Sequence, residues 1–300
     1  MIPAAVEQIA RFRQYLAKER RLSAHTDSNY TRDLGALTRF CDQEGITDWS
    51  ALEHAHVRLF AARSHGAGLA PRSIQRRLSA VRSFLNFLIR DGLLRSNCAV
   101  EVRAPTGQRR LPVTLDADTM ARLLEIPGAD LLAIRDRAMM ELLYSSGLRL
   151  AELVGLNLRD LNPADRTVRV LGKGSKTRVL PVGRKALAAL AAWVKERRGL
   201  VRDASDAVFV GATGRRLGAR AVQKRVAYWA VRQGLPMHVH PHLFRHSFAS
   251  HLLESSGELR AVQELLGHAD IATTQVYTHL DFQHLARIYD ASHPRARRKA

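Results

Sequence analysis

Residues 167–182 read TVRVLGKGSKTRVLPV and interrupt a chain whose apolar residues otherwise recur mostly at helical spacing. Two short strands, TVRVLG and TRVLPV, are predicted around the turn KGSK. Glycines on both sides of Lys173 support the turn, because glycine tolerates the backbone angles that tight turns need. The expected fold class is therefore mainly α with a small β-hairpin or sheet element.

The rest of the second half is predicted to be largely helical, since apolar positions return every three to four residues. Residues 131–145 predict a buried helix that ends near Gly147, whereas VFVG at 208–211 predicts another short strand. The other predicted helices of this half are 184–198, 219–233, 243–254, 258–266, 272–278 and 282–290. The closing RARRK is predicted to be a flexible basic end.

The first hundred residues predict four helices, at 4–20, 26–44, 54–64 and from Pro71 to about residue 90. Proline is favoured in the first turn of a helix, so the start of the fourth is the clearest. One apolar stripe runs along this helix, formed by Ile74, Leu78, Val81, Leu85 and Leu88. A basic amphipathic helix is either a solvated face or a groove-facing one. In a chain this basic the groove is favoured, and the candidate DNA-binding residues are Arg72, Arg76, Arg77 and Arg82.

The segment 104–112, APTGQRRLP, has two prolines, a glycine and two arginines between periodic stretches, which is typical of a linker. A chain of 300 residues suggests about two domains. We therefore expect a helical domain at 1–103, a linker at 104–112 and a mixed α+β domain at 113–300.

The charge balance points to a polyanionic partner. Lys and Arg number 47 against 28 Asp and Glu, which gives a formal net charge of +19. Such a field favours nucleic acid or an anionic membrane surface. The first sixteen residues, MIPAAVEQIARFRQYL, lack the apolar core of a signal peptide, and no apolar run reaches the roughly 18 residues of a membrane span. Double-stranded DNA is therefore the expected partner, with no membrane role.

The two cysteines, Cys41 and Cys98, are far apart and belong to no CxxC pair. This pattern supports neither a disulfide framework nor a cysteine zinc site, and it fits a reducing, cytoplasmic location. His242 and His246 have a spacing that can bind zinc, but the glutamate of an HExxH motif is missing and Arg245 would place a cation beside the metal. We expect no metal and no cofactor.

Four segments of the second half carry candidate chemistry. They are SGLRLAELVGL (146–156), LGKGSKTRVLP (171–181), HPHLFRHSFASHLLE (240–254) and LLGHADIATTQVYTHL (265–280). Transesterification of a phosphodiester without a metal needs guanidiniums on the non-bridging oxygens, a nucleophile, a base and a proton donor. In order, the segments supply Arg149, Lys173, His242, Arg245, His268 and Tyr277.

Each of these residues also has an ordinary structural interpretation. Arg149 is placed to flank a helix, Lys173 is a turn lysine, His268 resembles a helix-end histidine, and a lone tyrosine such as Tyr277 is more often half-buried core. Singly they are weak signals. The ordered set in a basic two-domain chain is a strong one.

The motifs SGLRLAEL, GKGSKTR, HPHLFRHSFASHLL and LLGHADIATTQVYTH together resemble the tyrosine recombinase (phage-integrase-type) family. The C-terminal segment VYTHLDFQHLARIYDASHPRARR (276–298) is further similar to the branch of bacterial partner recombinases that resolve chromosome dimers. The resemblance implies that residues 1–103 are a SAM-like core-binding domain and residues 113–300 the catalytic domain. It also implies a C-shaped clamp around DNA.

Position by position, the resemblance implies these roles. Arg149 and Arg245 would hold the scissile phosphate, and His268 would hydrogen-bond to it. Tyr277 would attack and leave a 3′-phosphotyrosyl link, with His242 managing the tyrosine proton. Lys173 would protonate the leaving 5′ oxygen, and Glu152 would support the site.

The resemblance implies a sister tyrosine recombinase as partner in a heterotetramer on paired sites, and a septal DNA translocase as a possible trigger. In this picture residues 282–290 would dock into a neighbouring subunit. Three alternatives stay open: a phage-type integrase or type IB topoisomerase-like enzyme, a non-catalytic DNA-binding protein, and a basic membrane-surface protein. A phage-type integrase usually has an extra arm-binding domain before these helices, so the start of the chain argues against it.

Overall fold

The computed structural model describes residues 1–18, 24–106, 114–172, 177–201, 205–266 and 293. It divides into two compact units, Met1–Arg110 and Leu111–Ala300. The first unit contains α1 (Pro3–Lys18), α2 (Ala24–Gln43), a 3₁₀ turn (Trp49–Ala51), α3 (His54–Gly66) and α4 (Pro71–Arg90). Within the described ranges, no helix is both long and apolar enough to cross a membrane.

The second unit combines seven described helices with one small sheet. Its helices are α5 (Ala117–Leu124), α6 (Leu131–Ser146), α7 (Leu150–Gly155), α8 (Arg184–Arg197), α9 (Ala219–Arg232), α10 (Pro241–Ser256) and α11 (Leu259–Leu266), with a 3₁₀ turn at Leu158–Asp160. Its strands are β1 (Leu161–Asn162), β2 (Thr167–Leu171) and β3 (Thr177–Pro181). The expectation of a mainly α fold with a small β element is confirmed.

The first unit is organised around α4. All five members of its predicted apolar stripe are buried. Phe84 adds edge-on ring contacts to Phe12 of α1 (5.4 Å between ring centres) and to Trp49 (5.0 Å). The Trp49 indole donates to the carbonyl of Ala5 at 2.8 Å, so its one polar atom is satisfied in the core.

The second unit is built around α6, which packs against α8 and α10. This helix begins where the Asp130 carboxylate accepts hydrogen bonds from the backbone amides of Leu132 and Ala133, both at 3.0 Å. Every residue from 138 to 146 is buried. The helix ends at Gly147, as the sequence predicted, and this glycine has a left-handed φ of 58°.

The predicted hairpin is present as the antiparallel pair β2–β3, with Val170 opposite Arg178 and Leu171 opposite Thr177. β1 pairs with the other edge of β2, so the strand order is β1-β2-β3. The KGSK turn at 173–176, linker residues 107–112, the predicted helices at 272–278 and 282–290 and the basic tail lie outside the described residues.

The predicted strand at 208–211 is wrong. Val210 forms only an isolated bridge with Arg216. Val208 and Phe209 are buried, and the indole of Trp193 on α8 donates to the Val208 carbonyl at 2.8 Å. The apolar residues of this segment therefore pack in the core without forming a strand. The sequence of so short an apolar run cannot distinguish these two possibilities.

Candidate active site

The site begins at the turn between α6 and α7. A Cβ on Gly147 would lie 2.5 Å from Cδ1 of Phe248, so a side chain there would collide with α10. After the glycine, Leu148 is buried and Arg149 caps the start of α7 in an extended conformation. The turn therefore fixes the position of the Arg149 backbone at the edge of the core.

Glu152 holds Arg149 in place. Its carboxylate accepts from the Arg149 backbone amide at 2.9 Å and from Arg149 Nη1 at 3.0 Å. The same carboxylate accepts from both terminal nitrogens of Arg178 on β3, at 2.8 and 3.0 Å. Burial by itself would raise the pKa of Glu152, but the hydrogen bonds from Arg178 and Arg149 outweigh it and lower that pKa below its usual value.

His242 and Arg245 stand three residues apart on α10, which begins at Pro241. Arg245 donates through Nη1 to the Gly147 carbonyl at 2.8 Å and through Nη2 to the Leu266 carbonyl. Arg149 donates to the same Leu266 oxygen at 3.3 Å. The structure thus brings the two predicted phosphate ligands together, with their donors converging on one oxygen atom.

The electrostatics around this oxygen are strongly positive. Burial, followed by the charges of Arg149 and Arg178, lowers the pKa of Arg245 to about 10, although Glu152 opposes the shift. Among the described residues of this cluster, the guanidiniums of Arg149, Arg178 and Arg245 outnumber the one carboxylate, that of Glu152, so the described cluster carries an excess of positive charge. An anion bound there would relieve the repulsion between the arginines.

His242 is exposed at the start of α10. Partial burial, followed by the positive charges of His246, Arg245 and Arg149, lowers its pKa below 6.5. This shift favours the neutral imidazole, the form that is able to accept a proton.

Three predicted catalytic residues, Lys173, His268 and Tyr277, lie outside the described residues. Their neighbours are placed. The paired residues Leu171 and Thr177 bracket the turn that carries Lys173, and α11 ends at Leu266, two residues before His268.

The four predicted DNA-binding arginines of α4 differ in their surroundings. Arg72 is exposed. Arg76 and Arg77 approach the buried carboxylate of Asp33, with shortest N–O distances of 3.0 and 3.6 Å. Arg82 donates to the backbone carbonyl of Ala99 at 2.9 Å and to that of Val102. Three of the four are therefore engaged inside the first unit.

Sequence reasoning missed Arg178. Over residues 177–180 of β3 the even positions face inward, since Leu180 is buried while Thr177 and Val179 are exposed. An arginine on the inward side of a strand needs a buried anionic partner, because an unpaired buried charge is costly. That alternation was the available signal.

Two family models match the chain. The Phage integrase family covers residues 113–284, and the Phage integrase N-terminal SAM-like domain covers residues 9–92. Among curated relatives, Tyrosine recombinase XerC of Serratia marcescens is 53% identical over 99% of this chain and 97% of its own. Tyrosine recombinase XerC of Pseudomonas syringae pv. syringae (strain B728a) is 55% identical over 95% of each.

Solved structures share the fold at lower identity. A lambda integrase (75–356) dimer bound to a COC′ core site matches with a TM-score of 0.67 and 19% identity, over 88% of this chain and 94% of that one. The XerH site-specific recombinase bound to difH substrate, a pre-cleavage complex, matches with a TM-score of 0.68 and 20% identity, over 94% and 82%.

Proposed function

Since the chain belongs to the phage integrase family and is a tyrosine recombinase, we propose that Tyr277 is its nucleophile. In this reaction the Tyr277 oxygen bonds to the scissile phosphorus and the bond from phosphorus to the 5′ oxygen breaks. The product is a 3′-phosphotyrosyl link and a free 5′ hydroxyl. A 5′ hydroxyl of the partner duplex then attacks the link and releases the tyrosine, so no net bond energy is lost.

The convergence of Arg149 and Arg245 on one oxygen atom carries this proposal. Donors arranged in this way can bind the non-bridging oxygens of a phosphate, whose negative charge increases as attack proceeds. Glu152 keeps the Arg149 guanidinium in position before DNA arrives, so little reorganisation is needed at the reaction step.

The remaining residues of the proposed site transfer protons or bind the phosphate. Neutral His242 takes the phenol proton of Tyr277 as the P–O bond forms and returns it in the reverse step. In the proposal Lys173 gives a proton to the leaving 5′ oxygen, and His268 hydrogen-bonds to the phosphate.

A suicide substrate tests the nucleophile. The protein is incubated with a nicked duplex that carries a candidate recombination site, and denaturing gels are run for a protein–DNA adduct beside Tyr277→Phe. We expect an adduct from the native chain and none from the variant. An adduct that persists in Tyr277→Phe refutes the assignment, and no adduct from either protein on several sites, with the sister recombinase added, refutes the enzyme proposal.

We further propose a biological role, resolution of chromosome and plasmid dimers together with a sister, XerD-like recombinase. The near full-length similarity to proteins named XerC supports this role. The proposed assembly is a heterotetramer on paired sites, triggered by a septal DNA translocase, with residues 282–290 docked into a neighbouring subunit. Deleting residues 281–300 should abolish recombination but spare binding to a single site, and unchanged recombination would refute the docking role.

A further inference from the structure

Arg178 lies deeper in the protein than Arg149. Only 9% of its side chain is exposed, against 38% for Arg149. Both of its terminal nitrogens bind the two oxygens of Glu152, whose side chain is 4% exposed. Arg178 therefore faces the carboxylate rather than the surface on which DNA would lie.

Each oxygen of Glu152 accepts one hydrogen bond from Arg178 and one from Arg149. The carboxylate is thus shared between a buried guanidinium and a more exposed one. If Arg149 were its sole partner, Glu152 would neutralise Arg149 at the place where that charge is needed. With Arg178 present, the described residues of the cluster contribute three guanidiniums and one carboxylate, so two positive charges remain in excess among them.

That excess fits the reaction. A phosphodiester carries one negative charge, and attack by an oxygen nucleophile adds negative charge to the non-bridging oxygens. Removing Arg178 leaves an excess of one. The change affects the electrostatic stabilisation of the reacting phosphate without altering any group that touches it.

Stabilisation of the fold explains the Arg178–Glu152 ion pair less well than this electrostatic effect does. Buried ion pairs are often no more stabilising than apolar residues of similar volume, because both charges must be desolvated. The Nε atom of Arg178 is buried and makes no hydrogen bond within the described ranges. If this position required only a side chain of similar volume, methionine would be sufficient.

We propose that Arg178 is a positioning residue of the recombination reaction: it shares the Glu152 carboxylate so that Arg149 is oriented but not neutralised. The pair also joins the β2–β3 hairpin to α7. This inference rests on the proposed phosphate-binding role of Arg149.

The test compares strand-cleavage rates on two suicide substrates, one with the natural scissile phosphodiester and one with a neutral methylphosphonate at that position. The variants are Arg178→Met, Arg178→Lys, Glu152→Gln and the double variant Arg178→Met/Glu152→Gln. Arg169→Met is the matched control, because Arg169 lies on the neighbouring strand with 55% of its side chain exposed. Wild-type adduct formation through Tyr277 is established first, so that failure of the proposed function is seen separately.

On the phosphodiester, Arg178→Met should cleave roughly 10- to 100-fold more slowly than wild type, the range typical when the partner that orients a charged ligand is lost. Arg178→Lys should fall in between, and Arg169→Met should match wild type. The double variant should cleave faster than Arg178→Met, since it lacks the carboxylate that neutralises Arg149. On the methylphosphonate, the decrease in cleavage rate of Arg178→Met relative to wild type should be about tenfold smaller than on the phosphodiester. A neutral reacting centre needs less positive charge to stabilise it.

Equal losses on both substrates, with no gain from the added Glu152→Gln, would overturn the inference and leave Arg178 a purely structural residue. A wild-type rate for Arg178→Met would overturn it as well. If thermal unfolding shows that Arg178→Met does not fold, Arg178→Lys takes its place. The quantity compared is the cleavage rate on the phosphodiester divided by that on the methylphosphonate, and a ratio equal to that of wild type counts against the proposal.

Discussion

Replacing Gly147 with alanine should destabilise the second unit more than an ordinary glycine substitution. Gly147 has a φ of 58°, a left-handed conformation that costs a residue with a Cβ about 1–2 kcal/mol. The new Cβ would also lie 2.5 Å from Cδ1 of Phe248, and overpacking a buried site costs about 1–3 kcal/mol more. The expected total is about 2–5 kcal/mol.

The chain offers a matched control. Gly257 is also left-handed, with φ of 68°, and ends α10 in the same unit, yet a Cβ there would meet nothing within 4 Å. Gly257→Ala should therefore show the conformational cost alone, about 1–2 kcal/mol. The difference between the two variants isolates the contact with Phe248.

Thermal unfolding followed by circular dichroism measures both. A loss of 1 kcal/mol lowers Tm by about 2–4 °C in a domain of this size, so Gly147→Ala should unfold several degrees below Gly257→Ala. Adding Phe248→Leu to Gly147→Ala should recover part of that difference by removing the collision. Equal Tm values for the two glycine variants would refute the packing argument and leave only the backbone term.

Three further predictions concern the pH dependence of cleavage, DNA binding and stability. The lowered pKa of His242 predicts that the loss of cleavage on acidification at subsaturating DNA has its midpoint below pH 6.5, the ordinary pKa of histidine, since only the neutral imidazole accepts the tyrosine proton; a midpoint above pH 6.5 would contradict this. Arg72→Ala should weaken DNA binding and reduce the salt slope by about 1, the loss of one phosphate contact. Arg82→Met should instead lower the stability of the first unit by about 1–3 kcal/mol, because two backbone carbonyls lose their donor. Titrations of duplex DNA at several salt concentrations, beside thermal unfolding, separate the two arginines, and an unchanged slope for Arg72→Ala would remove it from the interface.

Most of the helices were predictable because their signals are local. Pro71 marks the start of α4, and the stripe from Ile74 to Leu88 is buried as its spacing required. Gly147 ends α6 for a reason visible in the residue itself. α5 and α7, of eight and six residues, were not predicted.

The candidate site was predictable to a different extent. Arg149, His242, Arg245 and Glu152 were identified from ordered motifs, and the structure brings Arg149, Arg245 and Glu152 into one hydrogen-bonded cluster around Leu266 and Gly147. The segment VFVG at 208–211 misled because an apolar run satisfies a core and a strand equally well.

The sequence by itself determined the family-defining residues, the period of each long helix and the hairpin, because these depend on residue type and on neighbours only a few positions away. Only the tertiary structure decided which charges meet. Arg178 binds Glu152 across 26 residues of chain, and Arg76 and Arg77 approach Asp33 from another helix. Ion pairs between separate elements depend on how those elements pack, and no local pattern of residues encodes that geometry.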